Sequence, residues 1–273
     1  MIEIRAVWEI SSKIPASPHE AVNTLISLET SILESGERCL AFAKAFIDED
    51  IVAGIQSICQ SAINDLVSGC ELARAGYFKQ AYSLWRSWFE QSIFSIYFLE
   101  APMHREAWKV SEEVALSDSP QHRLMLHQLL TDSGERHPFS LVYGNRFLRL
   151  LEIFRIDAAR TNKANRPIAR AIRVLTALSQ GVHGTYQPAR VTTDADLSDR
   201  LKKHCLLVLT EAADLLNLFW LLLVASVVDL PENAWLALRD GDPDKAKEAV
   251  DDSEDYDTVF ELASLFKKEF GVN

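Results

Sequence analysis

Two charged residues, Arg86 and Glu90, stand four positions apart inside one of the most apolar stretches of the 273-residue sequence. On a helix this spacing places both side chains on one face, where they can form an ion pair. A guanidinium that is held by a carboxylate can bind phosphate with its remaining N–H groups. Arg86 is therefore a candidate anion-binding and catalytic residue, and Glu90 is its candidate orienting partner. The alternative is an ion pair that only fixes the register of a buried helix.

The residues around this pair predict how the helix is placed. At about 100° per residue, Lys79 and Ser83 fall on the same narrow stripe as Arg86 and Glu90. The other directions of residues 76–99 are mostly aromatic or aliphatic. A helix that is apolar nearly all round lies inside a fold, so the polar stripe must face a partner, a wet cleft or a buried ion pair.

A third candidate catalytic residue is His183, in the polar segment LSQGVHGTY at 178–186. The segment follows a predicted helix, and its two glycines permit a close approach of the backbone to a ligand. With Arg86 stabilising charge on a phosphate, His183 could act as the general base that activates a ribose 2′-hydroxyl. The alternative is that His183 satisfies terminal carbonyls at the end of that helix.

Charge is unevenly distributed along the chain. Residues 146–173 contain eight Arg or Lys against two acids, whereas residues 240–257 contain nine acids against two Lys. One interpretation is two solvated faces that contact each other. The other is a basic cleft for a phosphate-bearing ligand, shielded by an acidic tail. Its candidate ligand-binding residues are Lys79, Arg166, Arg170, Arg173 and Tyr186. The net charge of −11 argues against a protein that coats nucleic acid with its whole surface.

Other kinds of site are not indicated. The sequence has no Gly-rich phosphate loop, no dinucleotide-binding turn and no GxSxG elbow. The four Cys include no CxxC pair, which favours packed thiols in a reducing compartment. The helical pairs Asp118/His122 and Arg123/His127 have no third ligand at a suitable spacing. We therefore predict no metal and no cofactor.

Helical periodicity and scarce turn residues, 10 Gly and 9 Pro, predict an all-α fold. We expect a multi-helix bundle with long antiparallel helices and a short acidic helical appendage. Residues 1–17 form an irregular segment or a short strand, residues 18–230 the bundle, and residues 231–273 the acidic helices. Helices are expected to start near Pro18, Asp48–Asp50, Gly76, Pro102, Gln121, Leu141, Asn165–Pro167, Asp194–Asp196, Pro231, Asp242–Pro243 and Ser253.

The most apolar run, LLNLFWLLLVASVV at 215–228, is shorter than the roughly 20 residues of a membrane span. We interpret it as the end of a long core helix that begins at Asp194–Asp196 and reaches Val228. The N-terminus MIEIRAVWEI has early acids and no continuous apolar segment, so it does not have the form of a signal peptide. These features predict a cytoplasmic protein without a membrane partner.

Two short motifs resemble the signature pair of an uncharacterised bacterial helical family that is grouped with HEPN-like domains. They are A-Y-x-L-x-R-S-x-x-E at Ala81–Glu90 and L-S-x-x-V-H-G-T at Leu178–Thr185. The resemblance implies a helical bundle of the kind found in toxin–antitoxin and phage-defence systems, in which many members are metal-independent ribonucleases. It also implies that Arg86, Glu90 and His183 meet at one site. Catalytic HEPN proteins carry an Arg followed, after four to six residues, by a His on one helix, and no Arg here has a His at that distance.

Two function classes therefore follow from the sequence. The first is a HEPN-like component of a bacterial defence or toxin–antitoxin type system that binds RNA or a nucleotide, with or without cleavage. The second is a non-enzymatic helical adaptor or scaffold subunit, in which an aromatic surface and the acidic tail meet a partner chain. Both classes predict a protein partner or a homo-oligomer.

Overall fold

A computed structural model describes residues 18–100, 102, 105–106, 167–179, 190–227, 231–240 and 242–250. This part of the chain is 91% helical and contains no strand, so the predicted all-α class is confirmed. It comprises α1 (Pro18–Phe46), α2 (Glu49–Arg74), α3 (Phe78–Glu100), α4 (Pro167–Ser179), α5 (Asp194–Arg200), α6 (Leu206–Val227), α7 (Glu232–Asp240) and α8 (Pro243–Glu248), with a π-helical turn at Leu201–Cys205.

Local chemistry explains where the first helices begin and end. The carboxylate of Asp48 accepts a hydrogen bond from the backbone N–H of Asp50 at 2.9 Å, and so caps α2. Gly76 has a φ of +85°, a left-handed conformation that suits glycine. Its carbonyl accepts a hydrogen bond from the N–H of Val191 at 3.1 Å. The helix starts predicted near Asp48–Asp50 and near Gly76 are both present.

Helices α2 and α3 form the most extensive helix pair of the described residues. Gly69 makes this close packing possible, because a Cβ there would lie 2.6 Å from Cδ1 and Nε1 of Trp85. Trp85 is fully buried, as is Phe89 one turn further along α3. The interior position predicted for this aromatic helix is therefore correct.

Helix α6 packs against α1, α3 and α4. Its buried residues include Leu209, Leu215 and Phe219, in keeping with the core position expected for this apolar run. No helix within the described ranges is long and apolar enough to cross a membrane. Helix α4 contributes the buried side chains of Val174, Leu175 and Leu178.

The helix predicted from Asp194–Asp196 to Val228 is helical throughout its described residues, 194–227, but differs from the prediction in its N-cap and in a π-helical turn. Thr193, rather than an Asp, is the N-cap, and its hydroxyl accepts a hydrogen bond from the N–H of Asp196 at 3.4 Å. The helix is then interrupted at Leu201–Cys205 by a π-helical turn, which inserts an extra residue into the helical repeat. Leu201 and Cys205 at the two ends of this turn are both buried.

The predicted short C-terminal helices are partly described. Helix α7 follows Pro231, and α8 is capped by Asp242, whose carboxylate accepts from the N–H of Lys245 at 3.0 Å. The two helices pack against each other. The segment 1–17, the helix expected at Ser253, the helices expected at Gln121 and Leu141, and most of the helix expected at Pro102 lie outside the described residues.

Candidate anion-binding site

Helix α3 holds Arg86 and Glu90 one turn apart, and their side chains form the predicted pair. Arg86 Nε donates a hydrogen bond to Glu90 Oε1 at 3.0 Å. The two side chains are 30% and 36% exposed, so the pair lies at the edge of the fold and is not enclosed by it. Solvent reaches both partners, which makes this site accessible to a dissolved ligand.

The pairing leaves the outer end of the Arg86 guanidinium unused. Within the described residues, Arg86 makes no hydrogen bond except the one from Nε to Glu90. Arg105 is a contrasting case, because it is buried and its Nε, Nη1 and Nη2 contact Glu106 or the carbonyl of Ile51. Arg86 therefore presents Nη1 and Nη2 as a fork of the shape that suits phosphate oxygens.

The rest of the predicted polar stripe also faces outward. Lys79 is exposed, and the half-buried Ser83 donates its hydroxyl hydrogen bond to the Lys79 carbonyl at 3.2 Å. The aromatic residues of α3 point the other way, since Trp85, Trp88, Phe89 and Phe98 are all buried. The Arg86–Glu90 pair is therefore partly exposed to solvent, which favours a wet surface over a buried ion pair as the environment of this polar stripe.

Helix α4, at the end of the basic segment, packs against both α3 and α6. It carries the predicted ligand-binding residues Arg170 and Arg173, of which Arg173 has an exposed side chain. Helix α4 ends at Ser179, four positions before His183.

Three predicted site residues, His183, Arg166 and Tyr186, lie outside the described residues. The meeting of His183 with Arg86 and Glu90 therefore stays a prediction. The structure describes the Arg86–Glu90 half of the proposed site and the position of α4 beside it.

A second polar cluster, which the sequence analysis did not identify, joins α2 to α3. Gln91 Nε2 donates to Asp65 Oδ2 at 2.9 Å and to Ser87 Oγ at 2.7 Å. The spacing of Ser87 and Gln91 on one helix face was a detectable signal, but Asp65 is distant in sequence. This cluster is half-buried and pairs its members with each other, so we assign it to the helix interface.

The cysteines offer no site for a metal in the described part of the chain, where no group of three or more His, Cys, Asp or Glu side chains is arranged for one. None of the four cysteines forms a disulfide, and Cys39, Cys70 and Cys205 are buried. Burial raises the pKa values of Cys59 and Cys70, which keeps these thiols protonated and unreactive.

A partly open cavity of about 130 Å³ is the other feature absent from the sequence analysis. It lies between α1, α2, α3 and α6, and Ser35, Cys59, Ser92 and Asn217 are among the residues that line it. Small and polar residues on otherwise apolar helix faces were the available signal. No sequence pattern indicated that four helices would bring them together.

Fold and site together define an all-α protein with a partly exposed arginine–glutamate pair on α3. No known family model matches the chain. No curated protein sequence and no solved structure matches it either.

Proposed function

We propose that this protein binds a phosphate group of RNA or of a nucleotide at Arg86, as a HEPN-like helical component of a bacterial defence or toxin–antitoxin type system. The observation that carries the proposal is the state of Arg86: anchored through Nε, accessible to solvent, and with both Nη groups available among the described residues. The HEPN-like part of the proposal rests on the two sequence motifs that contain Arg86 and His183.

The anchoring of Arg86 has a physical consequence for binding. A free arginine side chain loses rotamer entropy when it is immobilised by a ligand. Glu90 already holds the guanidinium in one orientation, so less of that cost is left for the binding step. Glu90 also lowers the net charge of the site. Further cations are therefore needed, and we propose that Lys79, Arg166, Arg170 and Arg173 supply them, with Tyr186 as a neighbouring contact.

The proposed reaction, if the bound RNA is cleaved, uses His183 as the base that removes the proton from a ribose 2′-hydroxyl. Arg86 would stabilise the charge that develops on the phosphate. The chain lacks the Arg-to-His spacing of catalytic HEPN proteins, so we expect the protein alone to cleave RNA weakly or not at all.

RNA binding tests the proposal directly, by fluorescence anisotropy of a labelled mixed-sequence RNA at increasing salt concentration. Arg86→Ala should weaken binding about tenfold or more, because a charge-assisted hydrogen bond is lost, and should reduce the salt slope by about one. Arg86→Lys should bind at an intermediate level, since lysine keeps the charge but not the fork. The control Lys44→Ala removes an exposed cation from α1 and should leave binding unchanged.

Two results would contradict the phosphate-binding proposal. One is a wild-type protein that binds neither the RNA nor a nucleoside triphosphate at low salt. The other is Arg86→Ala binding that equals wild-type binding, whatever the result for Lys44→Ala. A parallel incubation of wild type and His183→Ala with RNA and a chelator tests the cleavage step, with melting curves to show that the variant is folded.

The adaptor alternative has less support from the described residues. On α3, Trp85, Trp88 and Phe89 are buried in the core and do not supply the aromatic contact surface that this alternative needs. The exposed large hydrophobic side chains of the described part are Ile26, Ile63 and Leu207, each on a different helix. A partner chain would have to bind through another surface.

A further inference from the structure

The cavity between α1, α2, α3 and α6 has walls of a definite chemical character. Leu66, Trp88, Leu216 and Trp220 supply aliphatic and aromatic surface, one from α2, one from α3 and two from α6. No Lys, Arg or Asp lines it, and Glu37 is its one charged lining residue among those described. Such walls favour an uncharged and largely apolar occupant, because an ion would lose its hydration without a partner.

One polar pair interrupts these walls. The Ser35 hydroxyl of α1 donates a hydrogen bond to Asn217 Oδ1 of α6 at 2.9 Å, and both residues are buried. Asn217 is only 6% exposed. Its Nδ2 amino group makes no hydrogen bond to any group in the described ranges. The nitrogen is nevertheless not fully buried, so an acceptor in the cavity can receive its hydrogen bond.

The entrance lies between α1 and α2. Gly36, Glu37 and Ile63 line the cavity and are exposed, so they mark its outer side. A Cβ built on Gly36 would meet no other atom within 4 Å, which shows free space at this point of α1. The cavity is thus lined by exposed residues on this side, and we take this side as its entrance.

We propose that this cavity is a binding site for a small, neutral, mostly apolar molecule with one hydrogen-bond acceptor. The acceptor receives a hydrogen bond from Asn217 Nδ2, and the apolar part lies between Trp88 and Trp220. The volume of about 130 Å³ is close to that of an engineered protein cavity that holds benzene, so the ligand has the size of a single substituted aromatic ring. This site is separate from the proposed phosphate site at Arg86.

Three probe molecules of similar size test the chemistry: phenol, toluene and benzoate, measured by isothermal titration calorimetry with the full chain. Phenol should bind about fivefold more tightly than toluene, because one neutral hydrogen bond is added. Benzoate should not bind, because its charge has no partner in the cavity. Equal binding of phenol and toluene would overturn the role of Asn217. Absence of binding by both would overturn the site.

Two variants locate the binding. Gly36→Leu places a large side chain at the entrance and should abolish binding of both neutral probes, whereas the matched control Gly36→Ala should bind them like wild type. The double variant Ser35→Ala/Asn217→Leu removes both members of the polar pair, so that no buried partner is left alone. It should bind phenol no better than toluene. If Gly36→Leu and the double variant bind the probes like wild type, the binding is elsewhere and the proposal is wrong. Unchanged RNA binding by Gly36→Leu would show that the two sites are independent.

Discussion

The exposure of the Arg86–Glu90 pair decides how much it can contribute to stability. Exposed pairs spaced i, i+4 on a helix contribute about 0.3–0.5 kcal/mol, and this pair is about one-third exposed on each side. Replacing Arg86 should therefore change the free energy of unfolding little. A large loss of RNA binding in Arg86→Ala would then report on the ligand contact and not on the fold.

At the same scale, the buried thiol of Cys205 should make the free energy of unfolding depend on pH. Burial raises the pKa of the Cys205 thiol from its ordinary value of 9.0 to about 12. Above pH 9 the unfolded chain releases this proton while the folded chain keeps it, so the free energy of unfolding falls as pH rises, by up to about 1.4 kcal/mol per pH unit. Urea unfolding between pH 8 and pH 11 should show a shallower dependence for Cys205→Ala than for wild type.

A non-titrating control separates this effect from a general loss of stability. Leu207 is 65% exposed and lies two positions further along the chain, and Leu207→Ala should keep the wild-type pH dependence. Part of the dependence should remain in Cys205→Ala as well, because burial also raises the pKa values of Cys70 and Tyr82. Identical slopes for wild type and Cys205→Ala would mean that the thiol ionises equally in both states.

At the scale of elements, the turn between α2 and α3 requires the left-handed backbone conformation of one glycine, Gly76. A Cβ on Gly76 would overlap the carbonyl of Val191, and the φ of +85° disfavours any residue with a Cβ. Gly76→Ala should therefore lower the free energy of unfolding by about 1–3 kcal/mol. The matched control Gly36→Ala has open space and lies inside α1, so it should raise stability by up to about 1 kcal/mol. Urea unfolding of both variants measures the difference, and equal effects would contradict the assigned turn.

The π-helical turn at Leu201–Cys205 shows how one element adapts to another. Cys205 Sγ lies 3.9 Å from the Tyr82 hydroxyl of α3, and the Arg200 guanidinium lies 6.0 Å from the centre of the Phe78 ring. An uninterrupted helix would place residues after Leu201 at a different rotation about the axis. The turn also packs against α1, and the sequence of residues 194–228 contains no break signal such as Pro or Gly that would have predicted it.

For the whole molecule, we predict a helical content that extends to residues beyond the described ranges. Far-ultraviolet circular dichroism of the full chain should show a dominant helical signal. Strand content should stay below about 15%, against the 20–25% that is average for globular proteins. A larger strand fraction would place a sheet in the remaining residues and contradict the all-α assignment for the complete chain.

Local signals account for most of what could be predicted. The helix starts at Asp48 and Asp242 depend on side chains within a few residues of the boundary, and the turn at Gly76 depends on one backbone conformation. The i, i+4 spacing likewise determined that Arg86 and Glu90 could pair. It could not determine their exposure, because exposure depends on which neighbouring helices cover that face of α3.

The sequence by itself determined the helical class, the main helix boundaries and the Arg86–Glu90 contact, because each arises from interactions within one or two helical turns. Only the tertiary structure decided that the pair faces solvent, that a π turn precedes α6, and that a cavity opens between four helices. The Ser35–Asn217 hydrogen bond illustrates the reason, since its two partners are 182 positions apart. Contacts of this kind depend on how whole helices pack, and the periodicity within one helix does not predict which other helices will pack against it.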